Sequence, residues 1–136
     1  MPKKNIVAVY GTLRRNLYNS YLMQTAEFIA EGSSVDNATM YSRGGFPILS
    51  FHKGERPVKV ELYYVDDVTL SRLDSLEGYR GEGLDNWYSR SVKDFSFEEE
   101  PGSLRTISAM IYHQDREHSL PVVESGDWAT ARQRVI

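Results

Sequence analysis

The segment DVTLSRLDSL, residues 67–76, is the clearest helix in a chain whose other apolar runs read mainly as strands. Its Val68, Leu70, Leu73 and Leu76 fall mostly at three-residue spacing, close to the repeat of one helix face. Asp66 or Asp67 is the expected N-cap, and Gly78, just past the end, suits a left-handed C-cap. Strand-like stretches flank it. Residues 58–65 (VKVELYYV) alternate, with Pro57 at their start, where a missing N–H does least harm. Residues 88–97 and 106–112 give two more strands, separated by the acidic, Pro-Gly-containing loop 98–102. Residues 5–10 read as a buried strand rich in Ile and Val and bounded by Gly11. The mixture predicts an α+β fold with more β than α.

Other stretches carry weaker periodicity. Asn19 is expected to cap a second helix through about Phe28, with Leu22, Met23 and Ala26 on its apolar face. Residues 29–41 read ambiguously, as an irregular strand pair. Gly44-Gly45-Phe46-Pro47 is a turn. From Gln114 onward the chain is polar and is expected to wrap the surface, with Asp127-Trp128 a candidate anchor. At 136 residues the expectation is one domain, 1–136, able to bury a real core.

Composition narrows the chemistry. The 16 basic and 19 acidic residues are well mixed and sum to −3, so no long-range field recruits nucleic acid or an anionic membrane. Absence of cysteine excludes disulfides, thiolate nucleophiles and cysteine metal sites. His52, His113 and His118 lack metal-ligand spacing, so no metal is expected. Gly11 has no glycine-rich neighbours to cradle a phosphate cofactor, and no GxSxG turn appears. The short apolar run after Lys3 and Lys4 is too brief for a signal h-region or a membrane span, and a cytoplasmic address fits.

Two places call for more than local structure. In VAVYGTLRRN a strand ends at Tyr10 and turns at Gly11, offering the backbone N–H groups of Thr12 and Leu13 to a carboxylate or a developing oxyanion. An ordinary strand-to-helix turn is the alternative. In LDSLEGYRGEGLDNWYSR, Glu77 stands at the negative end of the helix dipole, an arrangement disfavoured by about 0.3–1 kcal/mol at a surface. Partial burial there raises a carboxyl's pKa toward the range where it both accepts and returns a proton. A solvated helix-end glutamate is the plainer reading, and Glu82, Asp85 and Asp74 share the neighbourhood.

In this order, VYGTLR, FPIL at 46–49, VELYYV at 60–65, LDSLEGY, WYSRSVKD and the late SGDW at 125–128 resemble the γ-glutamylcyclotransferase-like family, also called AIG2-like, over nearly the whole chain. Within it the chain is more similar to the compact branch containing γ-glutamylamine cyclotransferase than to the longer glutathione-degrading branch. The resemblance implies a small mixed β-barrel-like sheet with a few short helices. It also implies a small-molecule γ-glutamyl substrate whose own α-amine attacks the γ-carbonyl, releasing 5-oxoproline and a free amine without a cofactor. On this resemblance Tyr10, Gly11, Thr12 and Leu13 hold the glutamyl moiety, Glu77 is the acid and base, Tyr88 matches an aromatic near the site, and Arg90 is structural. Two departures bear on the leaving group: RRNLYNSYL lacks a glycine and histidine often found there, and RGEGLDN is inserted between Tyr79 and Trp87. A non-catalytic binding module of the same fold is the alternative.

Overall fold

A computed structural model describes residues 5–11 and 23–128. Five strands close into a barrel: β1 (Asn5–Val9), β5 (Lys59–Val65), β2 (Glu27–Ser34), β6 (Ser89–Glu100) and β7 (Ser103–His113), in that spatial order. Every pairing in the barrel is antiparallel except the one that shuts it, β7 against β1, where Val7 lies opposite Met110 in parallel. Closure leaves no free sheet edge to be capped. A two-stranded sheet, β3 (Thr39–Ser42) with β4 (Pro47–Ser50), and one helix, α1 (Asp67–Glu77), complete the described elements. The α+β expectation and the barrel-like sheet hold.

Alternation along the strands builds two cores. Ala8, Leu62, Phe95 and Ile111 belong to one buried cluster, and Val7, Val9, Tyr63, Val65 and Tyr112 belong to a second that packs under Leu73 of α1. Successive strand side chains point to opposite faces, so a strand buried on both faces reads as an unbroken apolar run. That is why β1, with Val7, Ala8 and Val9 all buried, announces itself in the sequence.

The helix starts and stops where expected. The Asp66 carboxylate accepts the Thr69 N–H at 2.7 Å, and that bond holds its pKa below the ordinary value. Gly78 closes the other end at φ 67°. Of the four apolar helix residues, Leu73 is fully buried, whereas Val68 and Leu76 are exposed.

Three expectations need correction. The helix anticipated over 19–28 is overturned at its end: Glu27 and Phe28 begin β2, pair with Tyr64 and Tyr63 of β5, and Phe28 sets its ring edge-on to Tyr63. Residues 19–22 lie outside the described residues. The loop at 98–102 shrinks to a tight turn at Pro101-Gly102, because β6 runs to Glu100 and β7 begins at Ser103, with Gly102 at φ 81°. The final stretch does more than wrap the surface. The Val123 N–H bonds the Met40 carbonyl at 2.7 Å, the Lys59 N–H bonds the Gly126 carbonyl at 2.8 Å, and Val123 and Trp128 are buried in the first cluster.

Candidate active site

The opening turn and the helix end meet. Tyr10 follows β1 directly and is buried; its hydroxyl donates to the Tyr112 carbonyl at 2.8 Å and accepts the Leu49 N–H. Burial, with the Tyr88 and Glu77 groups nearby, pushes its pKa well above the ordinary value and keeps it neutral. Gly11 does not have the positive φ that would by itself demand glycine. It is constrained by space instead: a Cβ there would stand 2.9 Å from Cγ and 3.0 Å from Cδ of Pro47. Thr12 and Leu13 lie outside the described residues.

Gly11→Ala is therefore expected to cost about 1–3 kcal/mol by overpacking, readable as a lower midpoint in urea. An unchanged midpoint would mean that Pro47 yields freely.

Glu77 ends α1, whose last turn holds no basic residue. The residue keeps intermediate exposure, yet its carboxyl is closely surrounded by protein, and that desolvation raises its pKa from 4.5 to about 7. Three tyrosine hydroxyls, those of Tyr10, Tyr88 and Tyr112, interact electrostatically with this carboxyl. Each commits its proton elsewhere. Tyr10 donates to the Tyr112 carbonyl, Tyr88 to the Pro47 carbonyl at 3.4 Å, and Tyr112 to Asp74 Oδ1 at 2.7 Å. Hydrogen bonds to a carboxylate lower its pKa. With these three donors occupied, none of them opposes the effect of burial on Glu77.

Asp74 sits one turn before Glu77, at the i,i+3 spacing that puts two side chains on neighbouring positions of a helix face. Arg90 Nη1 reaches both Asp74 oxygens, at 2.7 and 2.6 Å, and its guanidinium lies 4.7 Å from the centre of the Tyr79 ring. The pair is three-quarters buried on both sides. Arg90, Asp74 and Tyr112 thus form a chain of bonds behind Glu77, and the Tyr112 carbonyl extends it to Tyr10. Asp74→Ala is expected to cost about 1–3 kcal/mol, since it leaves the Arg90 charge and the Tyr112 hydroxyl without this partner. Chemical denaturation checks it, and a loss below 0.5 kcal/mol, the usual range of a surface change, would contradict it.

The four carboxylates that the sequence left unranked now differ in setting. Glu82 and Asp85 are exposed, Asp74 is bound by Arg90 and Tyr112, and Glu77 alone of them combines a desolvated carboxyl with neighbouring tyrosines. Tyr88, buried, is fixed to the helix end by its own N–H on the Glu77 carbonyl at 3.1 Å. Inserted residues Glu82, Gly83 and Asn86 line a cleft of about 480 Å³ with Tyr79, Arg90 and Met110; Tyr10, Glu77 and Tyr88 are not in its wall. Tyr112 and Pro47 were not anticipated as site residues. Tyr-x-Arg at 88–90 with Asp74 was the available hint, but pairing Tyr112 to them requires the β6–β7 register.

Among the described residues no cluster of three His, Asp or Glu side chains is placed to hold a metal ion. No described helix is long and apolar enough to cross a membrane.

Residues 7–130 match the family model described as Gamma-glutamyl cyclotransferase, AIG2-like. Over 122 residues, 90% of this chain and 94% of the relative, the sequence is 33% identical to the Gamma-glutamylcyclotransferase family protein YtfP of Escherichia coli K12. It is 35% identical over 75 residues, 55% of this chain and 47% of the relative, to the Gamma-L-glutamyl-butirosin B gamma-glutamyl cyclotransferase of Niallia circulans. The crystal structure of an aig2-like protein from Mus musculus superposes with a TM-score of 0.72 at 25% identity, covering 89% of this chain and 86% of that one.

Proposed function

The chain belongs to the γ-glutamyl cyclotransferase, AIG2-like family, and from that premise we propose that it cyclises γ-glutamyl amines or amides to 5-oxoproline with Glu77 as acid and base. The single observation that carries the reading is the Glu77 carboxyl, desolvated at a helix end and left by its three tyrosine neighbours without their protons.

In this reaction the substrate supplies the nucleophile. Its α-amine closes a five-membered ring on the γ-carbonyl, the bond from the γ-carbon to the leaving nitrogen breaks, and a free amine departs. The starting α-ammonium surrenders two protons on becoming a lactam N–H, and both depart with the amine as its ammonium ion. Glu77 relays them: as carboxylate it takes a proton from the attacking nitrogen, and as acid it hands one to the leaving nitrogen. A carboxyl titrating near neutrality suits both halves, because neither protonation state is then costly to reach. Well-oriented intramolecular attack gains about 7–11 kcal/mol over an encounter in solution, and one well-placed proton carrier adds about 10²–10⁴-fold. No cofactor is called for. The turn at Tyr10, Gly11, Thr12 and Leu13 would receive the glutamyl moiety, with Tyr88 beside it, as in the resemblance.

The test is release of 5-oxoproline from γ-glutamyl-ε-lysine, γ-glutamyl-alanine and glutathione. Turnover of at least one is expected, and silence across the panel from folded protein would count against the activity. Because the base form of Glu77 begins the reaction, kcat/KM is expected to rise through about pH 7, the pKa to which burial lifts this carboxyl. A rise centred near 4.5 would contradict the assignment.

A further inference from the structure

The turn between β3 and β4 is tied to the site by its last residue. Pro47 takes the Tyr88 hydroxyl on its carbonyl and sets its ring against Gly11, so the turn that precedes it runs up to both the opening turn and Tyr88. The turn is closed by the Arg43 N–H on the Phe46 carbonyl at 3.0 Å, with Gly44 at φ 90°. Its one charged side chain is Arg43. That guanidinium acts electrostatically on the Tyr88 hydroxyl, it is exposed, and among the described residues no carboxylate pairs with it. Arg90, Arg56 and Arg105 are each bonded to an acidic side chain, whereas Arg72, Arg80 and Arg116 share with Arg43 the lack of a salt bridge among the described residues.

A γ-glutamyl compound carries its α-carboxylate on the same carbon as the attacking α-amine. If the amine is presented to Glu77, the carboxylate is two bonds away from it and must also find a partner, or it will repel the Glu77 carboxylate. We propose that Arg43 is that partner: it binds the substrate α-carboxylate from the β3–β4 turn and makes the site select compounds in which this carboxylate is free. Arginine suits the task, since its planar fork matches a carboxylate with two parallel hydrogen bonds. The inference rests on the γ-glutamyl reading above.

Arg43→Gln tests it, with Arg43→Lys beside it. For a γ-glutamyl substrate KM is expected to rise about tenfold in the Gln variant, the low end for a hydrogen bond to a charged group because the site is exposed, with kcat little changed. Lys should recover part of the loss. With the same substrate amidated at its α-carboxylate, wild type and Gln variant should converge. Equal KM values on the free carboxylate, or an undiminished gap on the amide, would overturn the assignment. Calorimetric titration of 5-oxoproline, which retains the carboxylate, reads the contact without turnover. Weaker binding in the Gln variant supports Arg43 even if no substrate in the panel reacts. Identical binding, or none to the wild type, counts against it. A silent panel with Arg43-dependent binding would sink the proposed reaction and leave the carboxylate site standing.

Discussion

Replacing Glu77 with Gln is expected to reduce 5-oxoproline release by about 10²–10⁴-fold and, at the same time, to make the protein more stable above neutrality. The two effects have one origin. In the folded chain, burial raises the Glu77 pKa from 4.5 to about 7. The folded state therefore holds its proton more tightly than the unfolded state across that window, and stability falls as pH rises from about 4.5 through 7. A shift of that size corresponds to about 3.4 kcal/mol at full effect, and to less than that for a group that keeps some exposure. Gln carries no charge at any of these pH values, so the variant should lose this part of the slope and gain up to that amount at pH 8. Denaturation of wild type and variant at pH 5 and pH 8 reads the difference. A variant that is inactive but destabilised equally at both pH values would point to lost packing. Retained turnover would move the acid and base role to another carboxyl.

Trp128→Ala is expected to cost about 3–5 kcal/mol, the usual range for removing a large buried aromatic, out of the 5–15 kcal/mol that separates folded from unfolded for most domains. Trp128 is 2% exposed and lies in the cluster that includes Tyr10, Leu49 and Val58. The backbone before it is stitched down by three backbone bonds, Ser42 N–H to the Pro121 carbonyl, Val123 N–H to the Met40 carbonyl and Lys59 N–H to the Gly126 carbonyl. Gly126 has φ 66°, and a Cβ there would come within 2.9 Å of the Pro57 carbonyl, which fixes how closely this segment runs beside the start of β5. Removing the indole leaves a void in the cluster that also holds Tyr10, so a rise in KM should accompany the fall in denaturation midpoint. Trp128→Phe, which keeps most of the volume, should recover the larger part of both. A loss below about 1 kcal/mol for the Ala variant would mean that the final segment is not part of the core.

Where the sequence spoke clearly, local physics was enough. Asp66, Leu73 and Gly78 mark a capped helix with one buried face, and β1 and β5 display runs that only a doubly covered or alternating strand would need. Glu77 stood out because its position against a helix C-terminus is unfavourable unless something else wants it there. What escaped was set by partners far along the chain. Glu27 and Phe28 follow a helix-like segment, and only pairing with Tyr63 and Tyr64 makes them strand, an instance of tertiary context overriding local preference. The loop at 98–102 looked longer than it is because three glutamates in a row resemble a solvated connection, although on an exposed hairpin arm each is tolerated. Asp127-Trp128 stood out as a candidate anchor, and the burial of Trp128 agrees with that reading. Tyr112 reaches the candidate site through the β6–β7 register, which leaves no trace in nearby sequence, whereas the β3–β4 turn was legible in its paired glycines but its place beside Tyr88 was not.

The measurement that bears most directly on the central claim is the titration of the Glu77 carboxyl itself, followed by carbon NMR in labelled protein with Glu77→Gln to identify the resonance. A midpoint near 7 that coincides with the rise of kcat/KM for 5-oxoproline release is the predicted result. A midpoint at or below the ordinary value of 4.5 would show a solvated helix-end glutamate and contradict its role as the proton carrier.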